Sequence, residues 1–460
     1  MELDEKRLYH ILETTHYHPD KKHTITNILD KARQKKGLNL EEVGFLANLN
    51  DQELINELFE VASRIKFEIY GERLVFFAPL YISDFCINDC EYCNFHIRNK
   101  DLIRRKLTLD EIDEQTKFLI NMGHKRILLE CGEDPINNTI DYVIDAIDRI
   151  YAIKTPKGNI RRININIAAT SVENYHRLKQ TKIGTYQLFQ ETYHRETFER
   201  LHKYPKKDYT RQITAHERAF EAGLDDLGLG VLLGLYDWRF EVLALVLHAQ
   251  YLDKEFGVGP HTISVPRFCP APTVTYKPAY HVSDSDFLKL IAILRLAVPY
   301  TGMIISTREK PQIRKIAFRI GISQASASSV TTVGGYNNNQ NNLRSQPQFE
   351  IYDERRLDEV IDDILIDKFL PSFCTACYRV GRTGERFMNL AKPSRIHNFC
   401  RPNGIITFAE YLEDFAIDGL YQRGYDVINH YLNQIDNKNL KTQTSLRLEK
   451  IKQGERDIYL

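Results

Sequence analysis

The 460-residue chain has no excess of either charge: 62 basic residues face 62 acidic ones. That balance argues against nucleic acid or an anionic membrane surface as the main partner. No apolar run reaches the 18 residues that a membrane span requires, and the opening MELDEKRLYH lacks the apolar stretch of a secretion signal. A cytoplasmic protein is expected. Repeats at a solenoid period are missing too. Without an export signal, a disulfide framework is not expected of the eight cysteines, and the clustered ones are expected to hold metal.

What is present is a long alternation of short apolar runs and helical patterns. Residues 1–70 read as an N-terminal helical segment, with NLEEVGFLANL and QELINELFEVASRIKFEIYG mixing polar and apolar positions. From 71 to 350, RLVFFAPLYIS, RILLECGE, RININIA, TYQLFQE, LGLGVLLGL, HTISVPRF, GMIIST and SQASASSV read as strands separated by helices. Thr108 and Glu111 suit a capping box, and Gly123 suits a helix stop. About eight strand–helix units predict an α/β fold, a (β/α)8 barrel of the TIM type. A doubly wound open sheet is the alternative. Residues 351–460 read as a helical C-terminal domain, and GGYNNNQNNLRSQPQFEIYD as a loop before it.

Two cysteine groups carry the chemistry. Cys86, Cys90 and Cys93 are spaced C-x3-C-x2-C, with no fourth cysteine nearby. His96 could complete a zinc tetrahedron, but three thiolates also suit a cubane iron–sulfur cluster with one iron left open. The motif follows the first predicted strand, and barrel chemistry sits at strand carboxyl ends. Cys374, Cys377 and Cys400 form a second trio, C-x2-C-x22-C, for which zinc with His397 is a fairer rival.

The first motif, with the aromatic Tyr92 before its last cysteine, resembles the radical S-adenosylmethionine (SAM) superfamily. The resemblance implies a 4Fe–4S cluster whose open iron chelates SAM, and reductive cleavage to a 5′-deoxyadenosyl radical. An electron donor such as ferredoxin or flavodoxin is then a partner. Glu130, Gly132 and Glu133 in ECGEDP match the element that receives the SAM amino group, and Glu191 and Arg211 fall where related barrels bind SAM. CTACYRVGRTGERFMNLAKPSRIHNFC, KIGTYQLFQETYHRETF and GPHTISVPR resemble the HydG family of FeFe-hydrogenase maturases. Its sibling, the thiazole-pathway tyrosine lyases, lacks the second trio. What this implies is a tyrosine lyase that breaks the Cα–Cβ bond to p-cresol and dehydroglycine. The latter yields carbon monoxide and cyanide, captured at a labile iron beside an auxiliary 4Fe–4S cluster for hydrogenase maturation proteins.

Within that resemblance His261 is the candidate ligand of the labile iron, since neutral imidazole suits Fe(II). Arg267, Ser326 and Ser328 are candidate substrate-facing residues, with a paired arginine of the barrel rim the equal alternative for Arg267. Where relatives read SAGS this chain reads SASS, so Ser328 occupies a place where glycine would permit positive φ or close backbone approach. Cys131 and Cys269 read as packing residues. Three alternatives stay open: another aromatic amino acid as substrate, a product that stops at dehydroglycine, and a zinc-bound structural barrel without redox chemistry.

Overall fold

The computed structural model describes residues 1–337, 346–417 and 419–460. Residues 338–345 of the expected loop lie outside the described residues, and the flanking 346–350 carry neither helix nor strand.

Four helices precede the sheet: Glu5–Thr14, Lys22–Ala32, Leu40–Ala47 and Gln52–Tyr70. The last starts on Asp51, whose carboxylate accepts from the Glu53 and Leu54 amides, and stops at Gly71 with φ 67°. Nine strands follow. They are β1 (Arg73–Ser83), β2 (Arg126–Cys131), β3 (Arg162–Asn166), β4 (Tyr186–Phe189), β5 (Leu227–Gly230), β6 (Thr262–Ser264), β7 (Gly302–Ile305), β8 (Gln324–Ser326) and β9 (Leu370–Ser372). Strands β1 to β8 pair in sequence order, all parallel, and β8 returns to β1, so the sheet closes as an eight-stranded barrel. The open doubly wound sheet is thereby excluded. The helix Leu109–Asn121 does begin with a complete Thr108–Glu111 capping box, and Gly123 past its end has φ 101°.

One strand lies beyond the expected set. β9 pairs in parallel with the start of β1, Arg73 opposite Leu370 and Val75 opposite Ser372. The stretch expected to be helical throughout thus adds a ninth strand to the barrel wall. It is only three residues long and contains Pro371, which an edge strand tolerates because one side needs no donor.

Inside the barrel, residues two apart share a face. Along β1, Phe77, Pro79 and Tyr81 line one interior cavity, while Arg73 at the strand's start lines a second. Phe77, Leu128 and Ile304 form a small apolar cluster of their own within the barrel. Outside, Leu54 and Leu58 of the N-terminal helices share one core with Leu290 and Leu294 of the helix Asp284–Ala297. The described residues contain no helix long and apolar enough to cross a membrane.

The exit of β8 is anchored by a fully buried ion pair. Arg314 binds Asp353 and also donates to the Ser326 carbonyl at 2.6 Å. Removing one partner of such a pair strands a charge in the core, so Asp353→Ala is expected to cost about 3–5 kcal/mol. A urea midpoint well below that of the parent chain would show it; an unchanged midpoint would show that the pair contributes nothing.

Candidate active site

At the carboxyl end of the barrel, β1 runs into the loop that carries Cys86, Cys90 and Cys93. The loop has little regular structure and is tied by side chains. Arg104 donates to the carbonyls of Asp84, Phe95 and His96 at 2.6–2.7 Å, and Asp84 accepts from the Arg105 amide at 2.6 Å. All three cysteines line one cavity of about 210 Å³. Burial pushes the Cys93 thiol up to about 11 and raises Cys86 and Cys90 as well, so as bare side chains they stay protonated. A bound cation reverses that preference by displacing the protons.

A polar circuit surrounds Asn88, inside the cysteine loop. Its amide donates to Glu133 Oε2 at 2.7 Å, and Glu133 Oε1 accepts from Arg211 at 2.5 Å. The Asn88 Oδ1 accepts from the Lys206 amide at 3.1 Å, and Lys206 Nζ reaches Glu191 Oε1 at 2.7 Å. Four charged residues from three separate segments therefore converge beside the thiols. Gly132 closes the gap between β2 and the loop: a Cβ there would lie 2.9 Å from Cys86 Cβ. Only glycine lets the two backbones approach this closely.

The second trio sits at the opposite, amino end. Cys374 follows β9, Cys377 lies on the short helix Ala376–Arg379, and Cys400 on the helix His397–Phe415. With His261, Arg73 and Arg126 they line a single pocket. His261 Nε2 is 3.0 Å from the Tyr378 hydroxyl, and Nδ1 is 3.5 Å from Asp226. Burial, reinforced by Arg162, Arg126 and Arg73, lowers His261 to about 4 against the pull of Asp226, so the imidazole is neutral. Burial likewise pushes Cys377 up to about 12. Buried N–H groups without a partner among the described residues gather at this end: Arg73 Nε, Arg126 Nε, and Nε and Nη1 of Arg162.

Comparison with known proteins identifies the family. The model of the radical SAM superfamily matches residues 80–246, and that of the biotin and thiamin synthesis associated domain matches 264–367. The crystal structure of HydG, a maturase of the FeFe-hydrogenase, superposes with a TM-score of 0.95 at 49% identity, covering 99% of both chains. The chain belongs to the HydG family of radical SAM enzymes. The HydG maturase of Carboxydothermus hydrogenoformans superposes with a TM-score of 0.84 at 40% identity, over 96% of this chain and 97% of that one. The 2-iminoacetate synthase of Escherichia coli K12 is 30% identical over 336 residues, 72% of this chain and 86% of its own length.

Membership in the radical SAM superfamily implies SAM and a 4Fe–4S cluster, and the carboxyl end fits both. Three thiols with a glycine-cleared approach leave one iron position unfilled by protein, and the Asn88 circuit supplies paired carboxylate and cationic groups beside it. A zinc tetrahedron would need a fourth side chain beside each trio. His96 lies 3.3 Å from Asp89, and His397 is 2.6 Å from the Ser394 carbonyl. Neither lines the pocket of its neighbouring trio.

Several expected residues in this HydG-family chain take places that motif spacing did not convey. Arg267 does not face the cavity. It binds Glu309 through Nε at 3.0 Å and Asp284 at 2.8 Å, donates to the Val282 carbonyl, and is a paired arginine of the rim. Ser326 lines the cavity, but beyond it Ser329 does so rather than Ser328. Ser328 adopts φ 50°, the conformation a glycine would take freely, and its hydroxyl is buried without a partner among the described residues. Glu130, grouped in sequence with the SAM-binding element, points into the barrel two positions from Leu128. Burial raises it to about 7, opposed by the Tyr81 hydroxyl and Arg308. Tyr92 lines the cavity with its hydroxyl 2.7 Å from His202 Nε2.

Sequence reasoning missed Arg308 and Lys206. Arg308 lines the cavity, its guanidinium carbon 3.2 Å from the Phe349 ring centroid, with no ion pair among the described residues. The residues STRE around it carry no motif that singles it out. Gly132→Ala tests the approach at the cysteine loop: the methyl group must push Cys86 aside. Iron and sulfide bound by the first trio after anaerobic reconstitution are expected to fall severalfold, with far-ultraviolet dichroism unchanged; full loading would refute the cradle.

Proposed function

We propose that this chain is a radical SAM tyrosine lyase of hydrogenase maturation, as the solved HydG structures are maturases of the FeFe-hydrogenase. The observation that carries the reading is the second trio, which shares one pocket with neutral His261 at the end of the barrel opposite Cys86, Cys90 and Cys93. When bound, SAM with the first cluster supplies a 5′-deoxyadenosyl radical on receiving an electron from a carrier such as ferredoxin or flavodoxin, and an auxiliary cluster with a labile iron supplies a trap for carbon monoxide and cyanide.

The chain's own residues then divide the work. Cys86, Cys90 and Cys93 would hold the first cluster, and Glu133, Arg211 and Glu191, joined through the circuit around Asn88, would bind SAM. Tyr92 closes the cavity wall beside them. Arg308, the cavity cation without an ion-pair partner among the described residues, is the match for the carboxylate of an amino-acid substrate, with Ser326 and Ser329 near it. Glu130 borders the same space with a carboxyl able to hold or release a proton near neutral pH. The closed barrel keeps water and thiols from the radical. At the far end Cys374, Cys377 and Cys400 would hold the auxiliary cluster and His261 would ligate the labile iron, while the donors of Arg73, Arg126 and Arg162 that lack a partner among the described residues suit an anionic group.

The experiment is product analysis with SAM, dithionite and tyrosine after reconstitution to about eight irons per chain, the sum of two cubanes. Parent protein is expected to release p-cresol and carbon monoxide, the latter read with deoxyhaemoglobin. Cys374→Ala combined with Cys377→Ala should retain p-cresol formation within about threefold and abolish carbon monoxide. Parent protein that gives p-cresol without carbon monoxide would instead be a dehydroglycine-producing lyase, like the 2-iminoacetate synthase it resembles at 30% identity.

A further inference from the structure

Glu241 is a buried carboxylate that nothing above employs. It lies in the first turn of the helix Trp238–Phe256, on the outside of the barrel, and has no solvent exposure. No cation pairs with it among the described residues. Burial, abetted by Asp237 and Glu5, raises its carboxyl to about 8. A buried carboxyl group without a counter-charge is costly to ionise and needs hydrogen-bond partners. Its donors are two, and both come from one short turn: the Thr192 hydroxyl binds Oε1, and the Tyr193 amide donates to Oε2 at 2.8 Å.

That turn directly follows Glu191, which has φ 70°. A non-glycine residue in this region persists only where its surroundings hold it. On the strand side the hold is visible: the Gln190 amide donates to the Gly230 carbonyl at 2.9 Å, and the Leu232 amide to the Glu191 carbonyl at 2.8 Å. On the far side, Tyr209 donates to the Tyr193 carbonyl at 2.7 Å, and the Tyr193 hydroxyl meets His248 Nδ1 at 2.9 Å. Between these anchors, Glu241 takes the donors of both residues after the reversal. The reversal is what turns the Glu191 side chain from the strand into the cavity, where it meets Lys206 beside the cysteine loop.

We infer that Glu241 is a positioning residue for SAM binding: it clamps Thr192 and Tyr193 so that Glu191 is held in its left-handed conformation and aimed at the cofactor. This rests on the reading of Glu191 as a SAM-binding residue. Glutamine can preserve the clamp, because its Oε1 accepts from the Tyr193 amide while its Nε2 donates to the Thr192 hydroxyl oxygen. Leucine cannot. Thr192→Val removes only one arm.

The test uses the reconstituted full chain. For Glu241→Leu, KM for SAM in 5′-deoxyadenosine formation is expected to rise by about tenfold, with kcat and KM for tyrosine within about twofold. Glu241→Gln should stay within about twofold throughout, and Thr192→Val should fall between. In amide hydrogen exchange, faster exchange in Glu241→Leu should be confined to residues 190–193, with the helix Trp238–Phe256 unchanged. The inference is overturned if Glu241→Leu and Thr192→Val leave KM for SAM unchanged, or if Glu241→Gln is as damaged as leucine, which would assign the role to charge. It is also overturned if exchange rises across the helix, which marks a packing role. Should Glu241→Leu fail to fold, Thr192→Val and Glu241→Gln decide. Glu191→Gln separates the underlying reading: an unchanged KM for SAM in that variant removes the assignment of Glu191, while the exchange result still reports the clamp by itself.

Discussion

Strand β1 is hydrogen-bonded to three others, and both ends of the molecule depend on it. Its eleven residues outrun every other strand of the barrel. The middle pairs with β8, the carboxyl half with β2, and the first three residues with β9. The first two pairings close the barrel. The third brings a segment from nearly 300 residues downstream to the amino end, and Cys374 follows it directly. The same strand's exit becomes the loop of Cys86, Cys90 and Cys93. One strand thus fixes the positions of the leading cysteine of each trio.

In the proposed reading that arrangement separates two chemistries: a radical formed at one end is kept from water and solvent thiols, and small products are trapped at the other. The layer of Phe77, Leu128 and Ile304 lies in the barrel between polar ends. Electrostatics differ between the ends in a way that suits the division. At the carboxyl end Glu133 pairs with Arg211 and Glu191 with Lys206, leaving Arg308 without an ion pair among the described residues, whereas the amino end gathers arginines, with N–H donors unpartnered among the described residues, around a neutral histidine.

Much of this was legible in the sequence. Strands were readable because parallel barrel strands are buried on both faces and appear as short β-branched and aromatic runs, each followed by an amphipathic helix. The spacing of the first trio and the glycine after Cys131 were local signals, as was the suspicion that Ser328 occupies a glycine's place, where the backbone has positive φ. What was hidden rests on distant partners. Arg267 could be read either as substrate-facing or as a paired rim arginine, and the partner that decides it, Glu309, lies 42 residues later. β9 was invisible because three residues with a proline carry no periodicity. Lys206, Arg308 and Glu241 are single charges outside any motif, and only burial and contact distinguish them from surface residues.

The central claim is that one barrel holds two iron centres at opposite ends. Diffraction at the iron absorption edge from crystals of the anaerobically reconstituted chain tests it most directly. The account predicts two separate anomalous peaks, one beside Cys86, Cys90 and Cys93 and one beside Cys374, Cys377 and Cys400 next to His261. Iron at only one trio, or a zinc-edge signal in place of iron at either, would contradict it.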